Sequence, residues 1–275
     1  MYIETNTELL SFIPNVFASV EGEDPLIKKV KGYLKVSELW LNANVADHAT
    51  FGQLLTDGKE DLVEQLKRIV ALDAFYRAVP SLDLVLTPNG FGVVSNQNIA
   101  PASKERVANL RAGLLMERDM TILQAVQALH GYDVWCNSVP GKLFGSLIIQ
   151  SIDVSVECGE NTPSFRFWQE HRREMLGVQR MLAINFVSPE LMSRLCNKLL
   201  RAETTDNEAR LIEMIHAFIV ASMKEEKQNY EDLENIVNFI KKNPDDFSEW
   251  ATSDTALLFE DYNFVNKKES KGFWF

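Results

Sequence analysis

Apolar residues recur at the three- and four-residue spacing of an amphipathic helix through most of the chain, with polar residues between them. Residues 24–42 and 60–78 show this pattern most clearly. We expect Asp24 to cap the first of these helices and Pro80 to end the second. Further helices are predicted from Ser103 to about residue 113, over 118–130, 163–184, 206–224 and 230–241, and from Ser188 and Pro189 onward.

One segment, residues 82–96, departs from the helical pattern. Two extended apolar runs flank Asn89-Gly90, a pair whose tolerance of positive φ suits the two-residue turn of a β-hairpin. With that turn, Leu86 pairs with Val93. Because an isolated two-stranded ribbon is marginally stable in water, we expect it to pack on its own helices or on another subunit.

The region 139–160 is open to two interpretations. After a Pro-Gly turn, residues 143–156 fit either a helix or a strand. The apolar alternation between Ile152 and Val156 favours a strand. A polar break at 159–163 follows it and is a candidate boundary between two parts of the chain.

The end of each half of the chain carries an aromatic–x–x–Trp–x–x–Ser segment. These segments are 132–138, around Trp135, and 247–253, around Trp250, and they lie 115 positions apart. We expect each tryptophan to be largely buried and to anchor the end of a helical bundle. The repeated serine fits a helix cap or a turn.

Earlier stretches of the two halves also align. Residues 41–45 lie over 182–186 at an offset of 141, and the helical positions from residue 62 lie over those from residue 211 at an offset of 149. The offset changes where a loop would gain or lose residues. Chance similarity is the alternative, because apolar residues at helical spacing match one another easily.

These patterns predict a mainly α fold of two related helical-bundle copies, the first carrying a protruding β-hairpin. The expected domains are 1–138, which includes the hairpin at 82–96, then 139–253, and then a C-terminal tail at 254–275. The second copy shows no sequence equivalent of the hairpin.

The composition is that of an ordinary globular protein, with 46% hydrophobic and 24% charged residues among 275. A net charge of −11 argues against a nucleic-acid-binding surface, which needs clustered lysine and arginine. The longest apolar run is too short to span a bilayer, and the first residues do not have the pattern of a signal peptide. The three cysteines are far apart and are expected to be reduced thiols.

No motif specifies catalysis or ligand binding. The four histidines and three cysteines do not share metal-ligand spacing. Asp57, Asp83 and the pair Glu60-Asp61 could serve as acid–base carboxylates, but acidic residues at helix starts are the simpler interpretation. We therefore predict no catalytic, cofactor-binding or metal site, and no enzymatic activity.

The order of elements over residues 60–115 resembles a protein family. The helix ends in Ala71-Leu-Asp-Ala-Phe-Tyr-Arg-Ala-Val-Pro80, a hairpin ends near Gly92-Val-Val-Ser-Asn96, and Ala100-Pro101-Ala-Ser103 leads into another helix. This order resembles an uncharacterised family of Bacteroidetes bacteria, their prophages and phages. That family is in turn similar to the head–tail connector (adaptor) proteins of tailed phages, which are helical bundles with a protruding β-hairpin. This chain departs from the simple adaptor in its length and in its predicted duplication.

The resemblance implies a structural virion protein, a subunit of the connector ring that joins portal to tail in the virion neck after assembly in the host cytoplasm. Implied partners are further copies of the chain, the portal protein and tail or neck proteins. DNA would pass through the ring without specific binding, and neither a cofactor nor a membrane is expected. The predicted contact residues are Leu84, Leu86, Phe91 and Val93 in the hairpin and Phe273, Trp274 and Phe275 in the tail. The alternative is a cytosolic bacterial helical module for protein–protein interaction with no phage role.

Overall fold

The computed structural model describes residues 1–13, 24–82, 84–87, 90–93, 103–225 and 230–260. The described chain is mainly α-helical, as the sequence predicts. The elements up to residue 145 are α1 (Asn6–Phe12), α2 (Leu26–Asn44), α3 (His48–Thr56), α4 (Glu60–Leu82), β1 (Leu84–Thr87), β2 (Gly90–Val93), α5 (Lys104–Leu129), α6 (Asp133–Asn137) and α7 (Val139–Gly145). The later elements are α8 (Val154–Glu157), α9 (Phe165–Leu182), a π-helix (Ala183–Val187), α10 (Pro189–Leu200), α11 (Asp206–Met223), α12 (Tyr230–Lys242), α13 (Ser248–Ala251) and α14 (Asp254–Leu257).

Each half of the chain is built around one central helix. In the first half α4 packs against α2, α3 and α5, and in the second half α11 packs against α9, α10 and α12. The apolar stripes on these helices meet in one continuous core that includes residues from both halves. Burial of these stripes is the main stabilising contribution to such helices.

Helix starts were partly predictable. Ser103 and Ser188 cap α5 and α10, as expected, and each side chain accepts a backbone N–H from the first turn. The expected cap at Asp24 is wrong, because α2 starts one residue later, with Pro25 at the cap position and no side-chain cap hydrogen bond. Asp24 instead pairs with Lys28 at 2.8 Å.

The prediction that Pro80 ends its helix is also wrong, since α4 continues to Leu82. Proline lacks an amide N–H, so the helical hydrogen bond to the carbonyl of Tyr76 is lost. That loss falls within the last turn, where the helix is about to end.

The strand interpretation of residues 143–156 is wrong. Val139–Gly145 and Val154–Glu157 are helical, and the residues between them form turns, bends and irregular backbone. Ile152 and Val154 are both buried, but Ser155 closes a turn by donating its hydroxyl to the carbonyl of Ile152 at 3.0 Å. Ser155 is buried beside Val154 whereas Val156 is exposed, so burial does not alternate as it would along a strand.

Both tryptophans of the repeated segment are buried, as predicted. The indole nitrogen of Trp135 donates to the backbone carbonyl of Val45 at 2.7 Å, and that of Trp250 donates to the carbonyl of Phe186, also at 2.7 Å. In each case the tryptophan lies on a short helix near the end of its half. Its hydrogen bond joins that short helix to a backbone carbonyl at the end of a long helical segment. A buried indole N–H needs such an acceptor.

The repeated serines cap the helices that follow the tryptophans, which confirms their interpretation as caps. The hydroxyl of Ser138 accepts the amide of Gly141 at 3.1 Å in α7, and that of Ser253 accepts the amide of Ala256 at 3.2 Å in α14. Each hydroxyl also donates to the carbonyl of the preceding tryptophan, at 2.6 and 2.7 Å.

Candidate functional site

The hairpin between the two longest helices, α4 and α5, holds four of the predicted contact residues. The backbone register pairs Leu84 with Val93 and Leu86 with Phe91 in an antiparallel ladder. The expected pairing of Leu86 with Val93 is therefore wrong. The last pair of the ladder is Thr87 with Gly90, so Gly90 belongs to the second strand. The four apolar positions still pair with one another; the packing of their side chains lies outside the described part of the molecule.

The helix that leads into the hairpin is fixed at its end by polar contacts. The hydroxyls of Tyr33 on α2 and Ser81 on α4 lie 2.7 Å apart. The guanidinium of Arg111 on α5 lies over the ring of Tyr76, 4.6 Å from its centroid. These contacts bind α2, α4 and α5 together close to the point where the strands leave the bundle.

A buried charge network lies deeper between the same three helices. Asp73 on α4 has no solvent exposure and accepts hydrogen bonds from Ser37 at 2.6 Å, Arg77 at 2.6 Å and Arg118 at 2.7 Å. Arg118 also binds its neighbour Asp119 at 2.8 Å. A buried charge of this kind is stable when each member of the group has partners.

This network extends into the second half of the chain. The second carboxylate oxygen of Asp119 accepts the amide of Phe165, the first residue of α9, at 3.1 Å. Burial raises the pKa of the Asp119 carboxyl despite the adjacent Arg118 guanidinium, which lowers it. The guanidinium of Arg118 also lies 5.0 Å from the ring centroid of Trp40. The hairpin-bearing helices and the second half are thus held in one arrangement by shared polar contacts.

Sequence reasoning missed this network. A weak signal was present, since Asp73 stands inside a run of residues that are otherwise apolar on α4 and the pair Arg118-Asp119 interrupts the stripe of α5. The residues come from three helices far apart in sequence, so no local spacing connects them.

A groove of about 800 Å³ runs between the two halves, where α6 and α7 meet α10. Cys136 and Cys196 both line it. Burial raises the pKa of both thiols, that of Cys196 to about 12, so both are protonated at neutral pH. A protonated buried thiol is a poor nucleophile. We therefore interpret the groove as the boundary along which the two halves pack.

The predicted contact residues of the tail, Phe273, Trp274 and Phe275, lie outside the described residues. The described residues that precede them in sequence are α14 and the chain up to residue 260. Leu257 and Leu258 at this end are exposed, and so is Ile184 on the π-helix that α14 contacts.

Among the described residues, no group of three or more histidine, cysteine, aspartate or glutamate side chains is placed to hold a metal ion. None of the helices within the described ranges is long and apolar enough to cross a membrane.

A comparison with protein-family models gives a match over part of the chain. Residues 25–142 match the model of a family of unknown function (DUF6712), which is less than half of the chain. The matched region starts just before α2 and ends within α7, so it contains the hairpin and the buried charge network. No curated protein and no solved structure matches the chain significantly.

Proposed function

We propose that the chain consists of two copies of one helical module. The tryptophan contacts support this, because Val45 and Phe186, which accept the two indole N–H groups, are the residues that the sequence alignment at an offset of 141 places together. In two unrelated helical segments, the tryptophans are not expected to bind carbonyls at equivalent positions.

The caps of α3 and α10 support the same proposal. Asp47 accepts the amide of Thr50 at 2.9 Å, and Ser188 accepts the amide of Leu191 at 3.2 Å. Both pairs are separated by the same offset of 141. The cap residues differ in type, yet each does the same work at the start of an equivalent helix.

The segments that precede the long helices also match. The amide of Tyr2 donates to the Glu38 side chain at 2.9 Å, and the amide of Ile148 donates to the Gln179 side chain at 2.8 Å. Glu38 and Gln179 again differ by 141 positions. On this proposal the second copy begins near residue 147 and not at residue 139, and α7 closes the first copy as α14 closes the second.

We infer that this two-module protein is a subunit of a head–tail connector ring in the neck of a tailed phage virion. The supporting observation is the hairpin between α4 and α5. The resemblance to connector proteins rests on this order of helix, hairpin and helix. It also lies inside the region that matches the family model. In this role the hairpin protrudes to contact a neighbouring subunit or the portal, and the protein carries out no catalysis.

The net charge of −11 agrees with that role. A ring through which DNA passes without sticking is best lined by neutral or negative groups. The C-terminal aromatic residues, Phe273 to Phe275, are a second contact element of the ring, since three aromatic side chains can bury a large apolar area against a partner.

The test is reconstitution with a candidate portal protein. The purified chain and the portal are mixed, and the complex is measured by gel filtration with light scattering and imaged by electron microscopy. We expect a ring of copies seated on the portal. If the chain stays monomeric and does not bind the portal, this result contradicts the connector role and favours the cytosolic interaction module.

A further inference from the structure

The two modules pack head to tail within one chain. The C-terminal end of the first module lies against α10 of the second: α7 packs on α10, and Cys136 of α6 lines the same groove. The amide of Gly131 donates to the carbonyl of Leu200 at 2.9 Å, and Arg201 binds Asp133 at 2.7 Å. Gly145 is so close that an added Cβ would lie 2.6 Å from the Leu200 side chain. The two modules use different surfaces in this contact, so it is heterologous.

A heterologous contact uses a different surface on each module. The surface equivalent to α7 therefore stays free on the second module, and the surface equivalent to α10 stays free on the first. The counterpart of α7 in the second module is α14, and the counterpart of α10 in the first module is α3. We call the exposed residues Ile184, Leu257 and Leu258 the α14 patch, and the exposed residues Leu55 and Lys59 the α3 face.

Exposure differs between the counterparts as this arrangement requires. Cys196 on α10, which lines the groove facing α7, is 5% exposed, whereas its counterpart Leu55 is 56% exposed. Leu143 on α7 is half-buried, whereas its counterpart Leu258 is 65% exposed. The less exposed positions on α10 and α7 thus correspond to exposed leucines at the free ends.

We propose that the α14 patch of one copy packs against the α3 face of the next copy, repeating between chains the contact that joins the modules within a chain. The partner is a second copy of this protein. The proposal rests on the two-module arrangement and on the ring proposed above, and it supplies the surfaces by which the ring would grow.

Charge at the two faces supports this pairing. Within the chain Gly145 touches Leu200, and their counterparts at the free ends are Glu260 and Lys59. Both counterparts are exposed and they carry opposite charges. The repeated contact therefore brings a carboxylate and an ammonium group together where the intramolecular contact has an apolar pair.

The α3 face also borders a space that could receive an apolar side chain. A groove of about 430 Å³ lies between α3, the start of α4 and α1, and Leu54, Leu55 and Val63 line it together with Lys59. Leu257 and Leu258 are of suitable size and chemistry to enter such a groove.

The experiment uses two full-length variants, Leu55→Asp and Leu258→Asp. Each removes one face and leaves the other intact, so each alone should lose self-association by about tenfold or more in sedimentation velocity. A 1:1 mixture should form a dimer and no larger species, because one intact α14 patch and one intact α3 face remain between the two variants. An interface that uses the same patch on both copies cannot give this result.

Two controls accompany the mixture. Val156→Asp changes an exposed apolar residue outside both faces and should assemble like the wild-type protein. The charge exchange Lys59→Glu should weaken assembly, and adding Glu260→Lys to the same chain should restore it. Circular dichroism of each variant checks that it remains folded.

The outcomes separate the two proposals. If the wild-type protein assembles and both Leu→Asp variants assemble equally well, the assignment of the faces is wrong while the ring stands. If Leu258→Asp assembles normally but melts at a lower temperature, residues 261–275 of the same chain cover the α14 patch, which also overturns the assignment. If the wild-type protein is monomeric with and without a portal, the ring itself is wrong.

Discussion

At the scale of single residues, the indoles of Trp135 and Trp250 anchor the ends of the two halves. Each combines a large buried ring with one hydrogen bond to a backbone carbonyl. Replacing Trp135 or Trp250 with alanine should lower the free energy of unfolding by about 3–5 kcal/mol. Denaturation by urea measures this loss.

Phenylalanine at the same positions is the matched control, because it keeps most of the ring and removes the N–H donor. It should cost about 1–3 kcal/mol, since the carbonyl of Val45 or Phe186 is left without that donor. Alanine variants of wild-type stability would contradict the anchoring role.

Glu208 is the second residue whose role can be tested by itself. It closes a capping box with Thr205 at the start of α11, and Lys198 and Arg194 bind its carboxylate at 2.9 and 2.6 Å. Burial acts to raise the pKa of Glu208, but the hydrogen bonds from Thr205 and Lys198 and the charges of Arg194 and Lys198 outweigh it, so the pKa is lowered.

A lowered pKa in the folded protein fixes the direction of the pH dependence. The stability that Glu208 contributes is present above its unfolded pKa, near the ordinary glutamate value, and is lost as the pH falls through the folded pKa. Glu208→Gln should therefore lower the free energy of unfolding by about 1–3 kcal/mol at pH 7 and by less as the pH falls below about 4. Glu213→Gln, on an exposed position of the same helix, should show neither effect. A constant difference between Glu208→Gln and the wild-type protein across this pH range would contradict the assignment.

Local chemistry at the residue scale was readable from the sequence. Serine caps at the starts of α5, α7, α10 and α14 follow from side-chain geometry that acts over three residues. The prediction for Pro80 was wrong because a proline near the end of a helix destabilises the helix much less than a proline in its middle. The network around Asp73 could not be read, because it depends on how three helices meet.

At the scale of elements, the hairpin is the feature on which the proposed contact depends. The double variant Leu86→Ser with Phe91→Ser changes one pair of facing positions in the ladder. It should abolish oligomers in gel filtration while the helical circular dichroism is unchanged, because the helical core is elsewhere. Unchanged assembly would contradict the contact role of this pair.

Val85→Ser is the matched control for the hairpin. Val85 pairs with Gly92, so it occupies the alternate position of the same strands. It should leave assembly close to that of the wild-type protein. The existence of the two strands was predictable from their apolar runs. The register was not, because Gly90, which was expected in the turn, is paired with Thr87.

At the scale of the whole molecule, we propose that the chain is two helical modules joined by a heterologous contact. The repeated tryptophan segment suggests two modules from the sequence, and hydrogen bonds in the two halves that correspond under the alignment support the proposal. The direction in which the modules pack could not be predicted. It depends on the fit of α7 against α10, where Gly145 allows the close approach of Leu200.

The central claim is that this protein works by assembling with copies of itself. Native mass spectrometry of the purified wild-type chain over a range of concentrations tests it most directly. The account predicts one closed assembly whose mass is a fixed multiple of 31.3 kDa. A single species of 31.3 kDa at every concentration would contradict it.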